Sequence, residues 1–295
     1  MTKYQKTRFN LNVKQQKALL SKLKKHFKQV VSNAETVINE KGIKYFSDNL
    51  EEHLLFTDYA NIIYESWGLT GAKFAEITEN DIKNQYYINV KRREPPRLTT
   101  GFFSQTYIDD MVRYAKTTAA QLITKVTDTT KKSVQEALAK AGEQRLGARE
   151  TARLIKKEYA FSSARALTIA RTETTAAAEA GSFIVAKSWN VAMTTSWVCA
   201  FKNSRDSHIS ADGQTVKLGE FFSVGGGKMK HPGDRSGGAN GAEIINCNCT
   251  TYNRVVQPPE PDEIQPAYKP REREFSFGLI VTSLIGLFLG NFDNN

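Results

Sequence analysis

Cysteine is scarce here, with three in 295 residues, and an odd, small count excludes a disulfide framework as the basis of the fold. The amino terminus, MTKYQKTRFN, lacks the apolar run of a secretory leader, so the chain reads as one made in a reducing compartment. There, neighbouring cysteines more often hold a metal or stay as thiols. Acidic residues are missing altogether from residues 1–34, which carry nine Lys or Arg: Lys3, Lys6, Arg8, Lys14, Lys17, Lys22, Lys24, Lys25 and Lys28. No internal repeat is visible. A phosphate-binding loop is missing too, because GGGKMKHPGD has Met229 where Ser or Thr should follow Gly-Lys, and Phe222 stands where the first glycine should be.

What is present begins with charge. The formal net charge is +10, and it resides almost wholly in residues 1–34, because the remainder is nearly balanced. A basic arm on a near-neutral body points to a polyanionic partner. On a helical wheel, residues 13–38 place Val13, Leu19, Leu20, Leu23, Phe27, Val30, Val31, Ala34, Val37 and Ile38 on one side. Lys14, Lys17, Lys22, Lys24, Lys25 and Lys28 fall on the other, which predicts an amphipathic helix with a separate lysine face. That face is either simply solvated, a phosphate-contacting surface for DNA, or, third, a membrane-surface contact.

Residues 43–100 read as mostly helical and end in KRREPPRLTTG, where Pro95-Pro96 and Gly101 mark a boundary. Helical periodicity returns over 104–141, again over 149–159, and again from Ser162 or Ser163 to about Trp189, the last with the alanine-rich ARTETTAAAEAG. TTSWVCAF then reads as a strand, QTVKLGEFF as a hairpin strand and its turn, and IINCNCTTYNRVV as a closing strand. Between the last two, seven glycines fall within 225–241, read as a long flexible loop. The predicted class is α+β: a mainly helical N-terminal half, a compact domain with helices and a small antiparallel sheet, and an extended tail. The expected divisions are 1–145, 146–256 and 257–295. The last begins with the Pro-rich QPPEPDEIQPAYKP and ends in eighteen uncharged residues, 275–292. As a helix those would span about 27 Å, just short of a ~30 Å hydrocarbon layer.

Two cysteines one residue apart, Cys247 and Cys249, are the chemical landmark. With His208 and His231 they would complete a tetrahedral zinc shell of two thiolates and two imidazoles. On a regular strand the two thiols would stand about 7 Å apart, so a strand end or bulge is needed to pinch them together. The alternatives are a packed turn beside those histidines, or a cysteine nucleophile with His208 or His231 as base. Cys199, inside SWVCAF, reads as a buried small hydrophobe. Arg171, Thr172 and Glu173 sit in mid-helix and read as an ion pair and a hydroxyl tying that helix to the β part.

These pieces resemble the phage Mu F-like head morphogenesis family, the minor capsid proteins of tailed bacteriophages. The resemblance runs in order over GARETARLIKKEYAFSSARALTIARTETTAAAEAG, Trp197, RDSHISADG, HPGD and INCNC, roughly residues 145–253. Positions matching the family are Arg171, Glu173, Trp197, Arg205, His208, Asp212, Gly213, Pro232, Asp234, Asn246, Cys247 and Cys249. Family members often carry Arg between the two cysteines, where this chain has Asn248. The resemblance implies a non-enzymatic virion protein at the portal vertex, acting in head assembly, DNA packaging or ejection. Its implied partners are the portal, major capsid or scaffold proteins and phage DNA, with zinc the one candidate cofactor. The apolar tail is expected to dock on the portal or inner capsid, or else to enter a membrane. Two other classes stay open: an enzyme (metal-dependent hydrolase or nucleotide-using, toxin-like transferase) and a simple non-specific DNA-binding protein.

Overall fold

The computed structural model describes residues 2–90, 105–189, 191–201 and 204–257. The Pro95-Pro96 boundary, the Pro-rich linker and the apolar tail lie outside the described residues. Helices dominate and a small antiparallel sheet follows them, so the class is α+β.

The first helix, α1 (Lys3–Asp48), starts at a reciprocal cap. Gln5 N donates to Thr2 Oγ1 at 3.2 Å, and Thr2 N donates to Gln5 Oε1 at 2.8 Å, satisfying two otherwise orphaned backbone donors. Its backbone breaks at Gly42 (φ 87°), a conformation that costs glycine little. There follow α2 (Leu50–His53), α3 (Phe56–Val90), α4 (Gln105–Thr118), α5 (Ala120–Glu143), α6 (Ala148–Lys157), a short 3-10 turn at Tyr159–Phe161, and α7 (Ser163–Ser188). Ser162 caps α7 through Arg165 N at 3.1 Å.

The central element is α7. Its alanines Ala176, Ala177, Ala178 and Ala180 are all buried, and small side chains let neighbours approach closely. At the crossing with α3 a Cβ on Gly181 would run into the Gly71 carbonyl, so Gly181 permits the backbones to touch, while Gly71 leaves room for Met111 of α4. One apolar cluster joins α1, α3, α4 and α7 through Leu19, Leu23, Trp67 and Met111. Another joins the second half of α1 to α2, α5 and α6 through Val30, Phe46, Leu54 and Ile155. Helices before and after residue 145 therefore pack into shared cores.

The face that α1 turns inward changes character along its length. From Leu19 onward it is apolar as predicted, but in the first turns the buried residues are Arg8, Asn12, Gln15 and Gln16, and Val13 is 48% exposed. The wheel put Val13 inside. The structure turns it outward because polar groups of α7 and the last strand face the helix there.

After α7 come β1 (Ala192–Val198), α8 (Asp206–Ser210), β2 (Thr215–Lys217), β3 (Phe222–Val224), β4 (Gly227–Met229), α9 (Gly241–Ile244) and β5 (Thr250–Gln257). The sheet order is β2-β1-β5, all antiparallel, with Val198 opposite Thr250. The glycine-rich segment is more ordered than predicted. Gly225 and Gly226, both at positive φ, make the two-residue turn of the β3–β4 hairpin, a turn whose twist suits paired strands.

Candidate functional site

Two groups of buried polar side chains meet at the start of β5. The first contains Arg8, an arm residue expected in solvent. Its side chain is 1% exposed and Glu179 of α7 is 0% exposed, with Nη2 donating to Oε1 at 2.5 Å. Arg8 also donates through Nε to Thr250 Oγ1 at 3.0 Å, and through Nη1 to Thr78 Oγ1 at 2.9 Å and Ser182 Oγ at 2.7 Å. Glu179 in turn accepts from Thr250 Oγ1 at 2.6 Å, Thr251 N at 2.9 Å and Thr251 Oγ1 at 2.7 Å. Burial opposes the Arg8 charge, yet Glu179 holds its pKa above the ordinary arginine value. The network pins the first turns of α1 to α3, α7 and β5.

The second group is the sulfur cluster. Cys247 and Cys249 precede β5 rather than lying in it, and Asn246 just before them takes a left-handed turn (φ 61°). That turn supplies the strand-end geometry the cysteine pair needs. Arg171 Nη1 donates to Asn246 Oδ1 at 3.2 Å and Asn246 N donates to Thr172 Oγ1 at 2.8 Å, so α7 holds the turn in place. Glu173 faces the other way and accepts from Trp67 Nε1 at 2.8 Å; burial pushes its carboxyl up.

His208, Cys247 and Cys249 converge. Their ligand atoms all lie within 4.8 Å of one another, and all three residues are buried. His208 Nδ1 is 3.4 Å from Cys249 Sγ and 3.5 Å from Cys247 Sγ. His208 Nε2 is 3.0 Å from Glu243 Oε2, a carboxylate that also accepts from Ser207 Oγ at 2.8 Å. A Cβ on Gly225 would strike the Glu243 carboxylate, which explains a glycine at that turn. His231 is not among the convergent groups. Its Nδ1 is 3.1 Å from the Pro232 carbonyl, and its ring packs on Phe183 with centroids 5.4 Å apart. Those contacts hold it within the HPGD turn, so the structure brings three of the four expected ligands together.

The remaining motif residues build the frame. Trp197 is buried edge-on against His208 and Phe222, at 5.6 and 5.5 Å between centroids. Asp212 accepts from Cys199 N at 2.7 Å, and Gly213 N donates to Trp197 O at 2.9 Å, tying the α8 turn to the end of β1. Arg205 Nη1 reaches Glu243 O at 3.3 Å, and Nη2 reaches Ile245 O. Asp234 accepts from Lys230 N at 2.8 Å, Ser236 N at 3.0 Å and Ser236 Oγ at 2.9 Å. Burial works against its charge, but His231 and those donors hold its carboxyl below the usual range. Beside Pro232, Gly233 (φ 84°) presses on Ala176 of α7, where a Cβ would come within 2.7 Å.

On α1, Lys14, Lys17, Lys22, Lys24, Lys25 and Lys28 are all exposed. Lys22 Nζ pairs with Glu65 at 3.1 Å. Asn248, at the position where the family often has Arg, accepts from Gln16 Nε2 at 2.9 Å and so contacts α1.

Residues 108–252 match a family described as Phage Mu protein F like protein. This stretch belongs to the Mu F-like family. The Mu F-like stretch runs from α4 into β5 and contains every motif position named above except those of α1. The family is one of phage head morphogenesis proteins, and residues 108–252 are what the chain has in common with it. Comparison with curated proteins and with solved structures finds no match. Among the described residues no helix is long and apolar enough to cross a membrane.

Sequence reasoning missed two participants. Arg8 was counted with the lysines, although it is the one arginine in an otherwise all-lysine arm, and arginine is the cation suited to buried, forked hydrogen bonding. Glu243 carried no signal. Cys199 is a buried member of the apolar cluster, as expected, one residue beyond the last β1–β5 pair.

Proposed function

We propose that this chain is a minor head protein of a tailed phage, seated near the portal vertex, which touches DNA through the lysine face of α1 during packaging or ejection. The observation that carries the reading is the combination of a Mu F-like stretch with a lysine row on a helix whose opposite face is buried. A helix anchored by Arg8, Leu19, Leu23 and Phe27 holds its lysines in a fixed row. Fixed cations lose less freedom than those of a loose arm when they meet phosphates. The supporting partners are the portal and the major capsid or scaffold proteins, with DNA bound without sequence preference. The buried thiols support a structural role over a nucleophilic one. Cys247 and Cys249 are 3% and 1% exposed, so neither sulfur is open to a substrate from solvent.

The test must spare the fold, and deletion of residues 1–34 does not, because it removes Arg8 and part of the core. Replacing Lys14, Lys17, Lys24, Lys25 and Lys28 with Gln leaves the buried face intact. If about five lysines each neutralise one phosphate, the logarithm of duplex-DNA affinity falls against log salt with a slope of about −4 to −5. The fivefold variant should lose most of that slope while keeping its thermal midpoint. Mass spectrometry of purified particles should find the chain with the portal at low copy number. A wild-type slope near zero, or a chain absent from particles, sinks the reading.

A further inference from the structure

We infer that Cys199, Cys247, Cys249 and His208 form a structural zinc site, with Cys199 rather than His231 as the fourth ligand. The inference is independent of where in the particle the protein sits. It starts from distance. Around a tetrahedral zinc, a nitrogen at about 2.05 Å and a sulfur at about 2.3 Å are separated by about 3.6 Å. The Nδ1–Sγ separations of 3.4 and 3.5 Å are close to that edge, for two sulfurs on one nitrogen. A thiol hydrogen bond to an imidazole has a similar length, but here two thiols converge on a single nitrogen inside a buried trio, the arrangement that a shared cation collects.

The second observation is the tautomer. Two groups flank His208 Nε2, the Glu243 carboxylate at 3.0 Å, an acceptor, and the Arg205 guanidinium at 3.4 Å, which can only donate; the nearer Glu243 favours the proton on Nε2. The Nδ1 lone pair is then turned on the thiols. A carboxylate behind the far nitrogen of a ligating histidine is the usual outer support of a zinc ligand, and Ser207 orients this one. The neighbouring Arg205 Nη1, 3.4 Å from Nε2, adds a positive charge beside a site that three thiolates would leave negative.

The third observation identifies the fourth ligand. β1 and β5 pair with Val198 opposite Thr250, and Cys199 and Cys249 are the residues just beyond that last pair on the two segments. Cys199 is 1% exposed, belongs to the same buried cluster as the other two cysteines, and its thiol interacts with that of Cys249; it stands outside the trio whose ligand atoms lie within 4.8 Å of one another, so its sulfur must turn inward to complete the shell. Backbone N–H groups already aim at the sulfurs: Phe201 N at 3.3 Å from Cys199 Sγ, and Cys249 N at 3.4 Å from Cys247 Sγ. Such donors stabilise thiolate over thiol. His231 has no comparable placement, being held on Phe183 and the Pro232 carbonyl. Binding of Zn²⁺ by three thiols and a neutral imidazole releases three thiol protons and changes no oxidation state. With all four positions taken by side chains the site is closed, hence structural and not catalytic.

The test uses the full-length chain expressed with added zinc. Elemental analysis should give about one zinc per chain. X-ray absorption at the zinc edge of the wild-type protein should show three sulfurs at about 2.3 Å and one nitrogen. His231→Ala should keep its zinc. Glu243→Gln should bind zinc about 10- to 100-fold more weakly, the usual effect of losing an outer partner, and Cys199→Ala should lose more than that. Because Cys199→Ala can fail to fold, the sulfur count on the wild-type protein decides by itself. Two sulfurs with two nitrogens, zinc lost from His231→Ala but retained by Cys199→Ala, or no bound zinc would each overturn the assignment.

Discussion

Cys249 and Thr250 are adjacent in the chain, yet they enter two different buried polar centres. Thr250 joins the Arg8–Glu179 network, in which a cation, an anion and five hydroxyls complete one another. Cys249 joins a group in which the convergent atoms, sulfur and imidazole nitrogen, are all electron-pair donors. Equal burial therefore means different things. A network that contains both signs of charge closes on itself and serves to fasten elements together. A set made only of donors is complementary to a cation from outside the chain. The contrast separates a seam from a site without appeal to either one's position in a motif.

Breaking the seam should have the largest effect. Glu179→Ala leaves the Arg8 guanidinium buried without its counter-charge, and removing one member of such a pair costs about 3–5 kcal/mol. Urea denaturation should show that loss, and a change under 1 kcal/mol, roughly a surface pair's worth, would mean that solvent reaches Arg8. Zinc per chain should stay the same in the fraction that remains folded. Removing zinc with a chelator attacks the other centre. At free zinc about 100-fold above the dissociation constant, the bound ion contributes about 2.7 kcal/mol, so chelation should lower stability by that order. If the centres are independent, the same loss should appear on chelating zinc from Glu179→Ala; unequal losses would show that the seam and the site are coupled through β5.

A smaller effect is expected at the turn that presents the cysteines. Asn246→Ala removes the bond from Arg171 and puts alanine at φ 61°, where an L side chain is disfavoured by about 1–2 kcal/mol. Asn246→Gly keeps the backbone conformation and should recover part of that loss. Equal losses for the two would show that the side-chain bond, not the left-handed turn, is what matters. The smallest effect belongs to Glu173, whose folded-state carboxyl is raised, chiefly by burial. The folded protein holds this proton more tightly, so its contribution is fully present below the unfolded value near 4.5 and is lost as pH rises through the folded value. Glu173→Gln keeps an acceptor for Trp67, and its stability relative to wild type should therefore improve as pH rises above about 4.5. A flat difference from pH 4 to 7 would place Glu173 outside the energetics of the core.

What could be read in the sequence follows from how local each signal is. The long helices were legible because apolar spacing is a property of neighbours in the chain, and Ser162 announced the start of α7. The small sheet was legible from short β-branched stretches. The first turns of α1 misled because their inner face is polar, and only the presence of Glu179 and Thr250 opposite explains why. Cys199 and Cys249 follow and precede the last β1–β5 pair, a closeness that no spacing along the chain reveals. His231 was expected in the cluster because it belongs to the same series of motifs, but its neighbour Phe183 lies on a different element. The ordering of the 225–241 segment depends on two glycines at positive φ, a use of glycine that composition does not distinguish from flexibility.

The link between Arg8 and Thr250 joins residues 242 apart in sequence. On a ribosome the first helix emerges long before its partner strand. At about 5–20 residues per second the delay is roughly 10–50 s, during which Glu179 and Thr250 are still to come for most of the interval. Through that time α1 presents to solvent both its lysines and an inner face made for other elements. Its first turns are lined by Arg8, Asn12, Gln15 and Gln16 in place of leucines, which leaves the waiting helix less sticky at the end that docks last. A polar seam is one that water can satisfy while the helix waits for β5, where an apolar one would stand exposed.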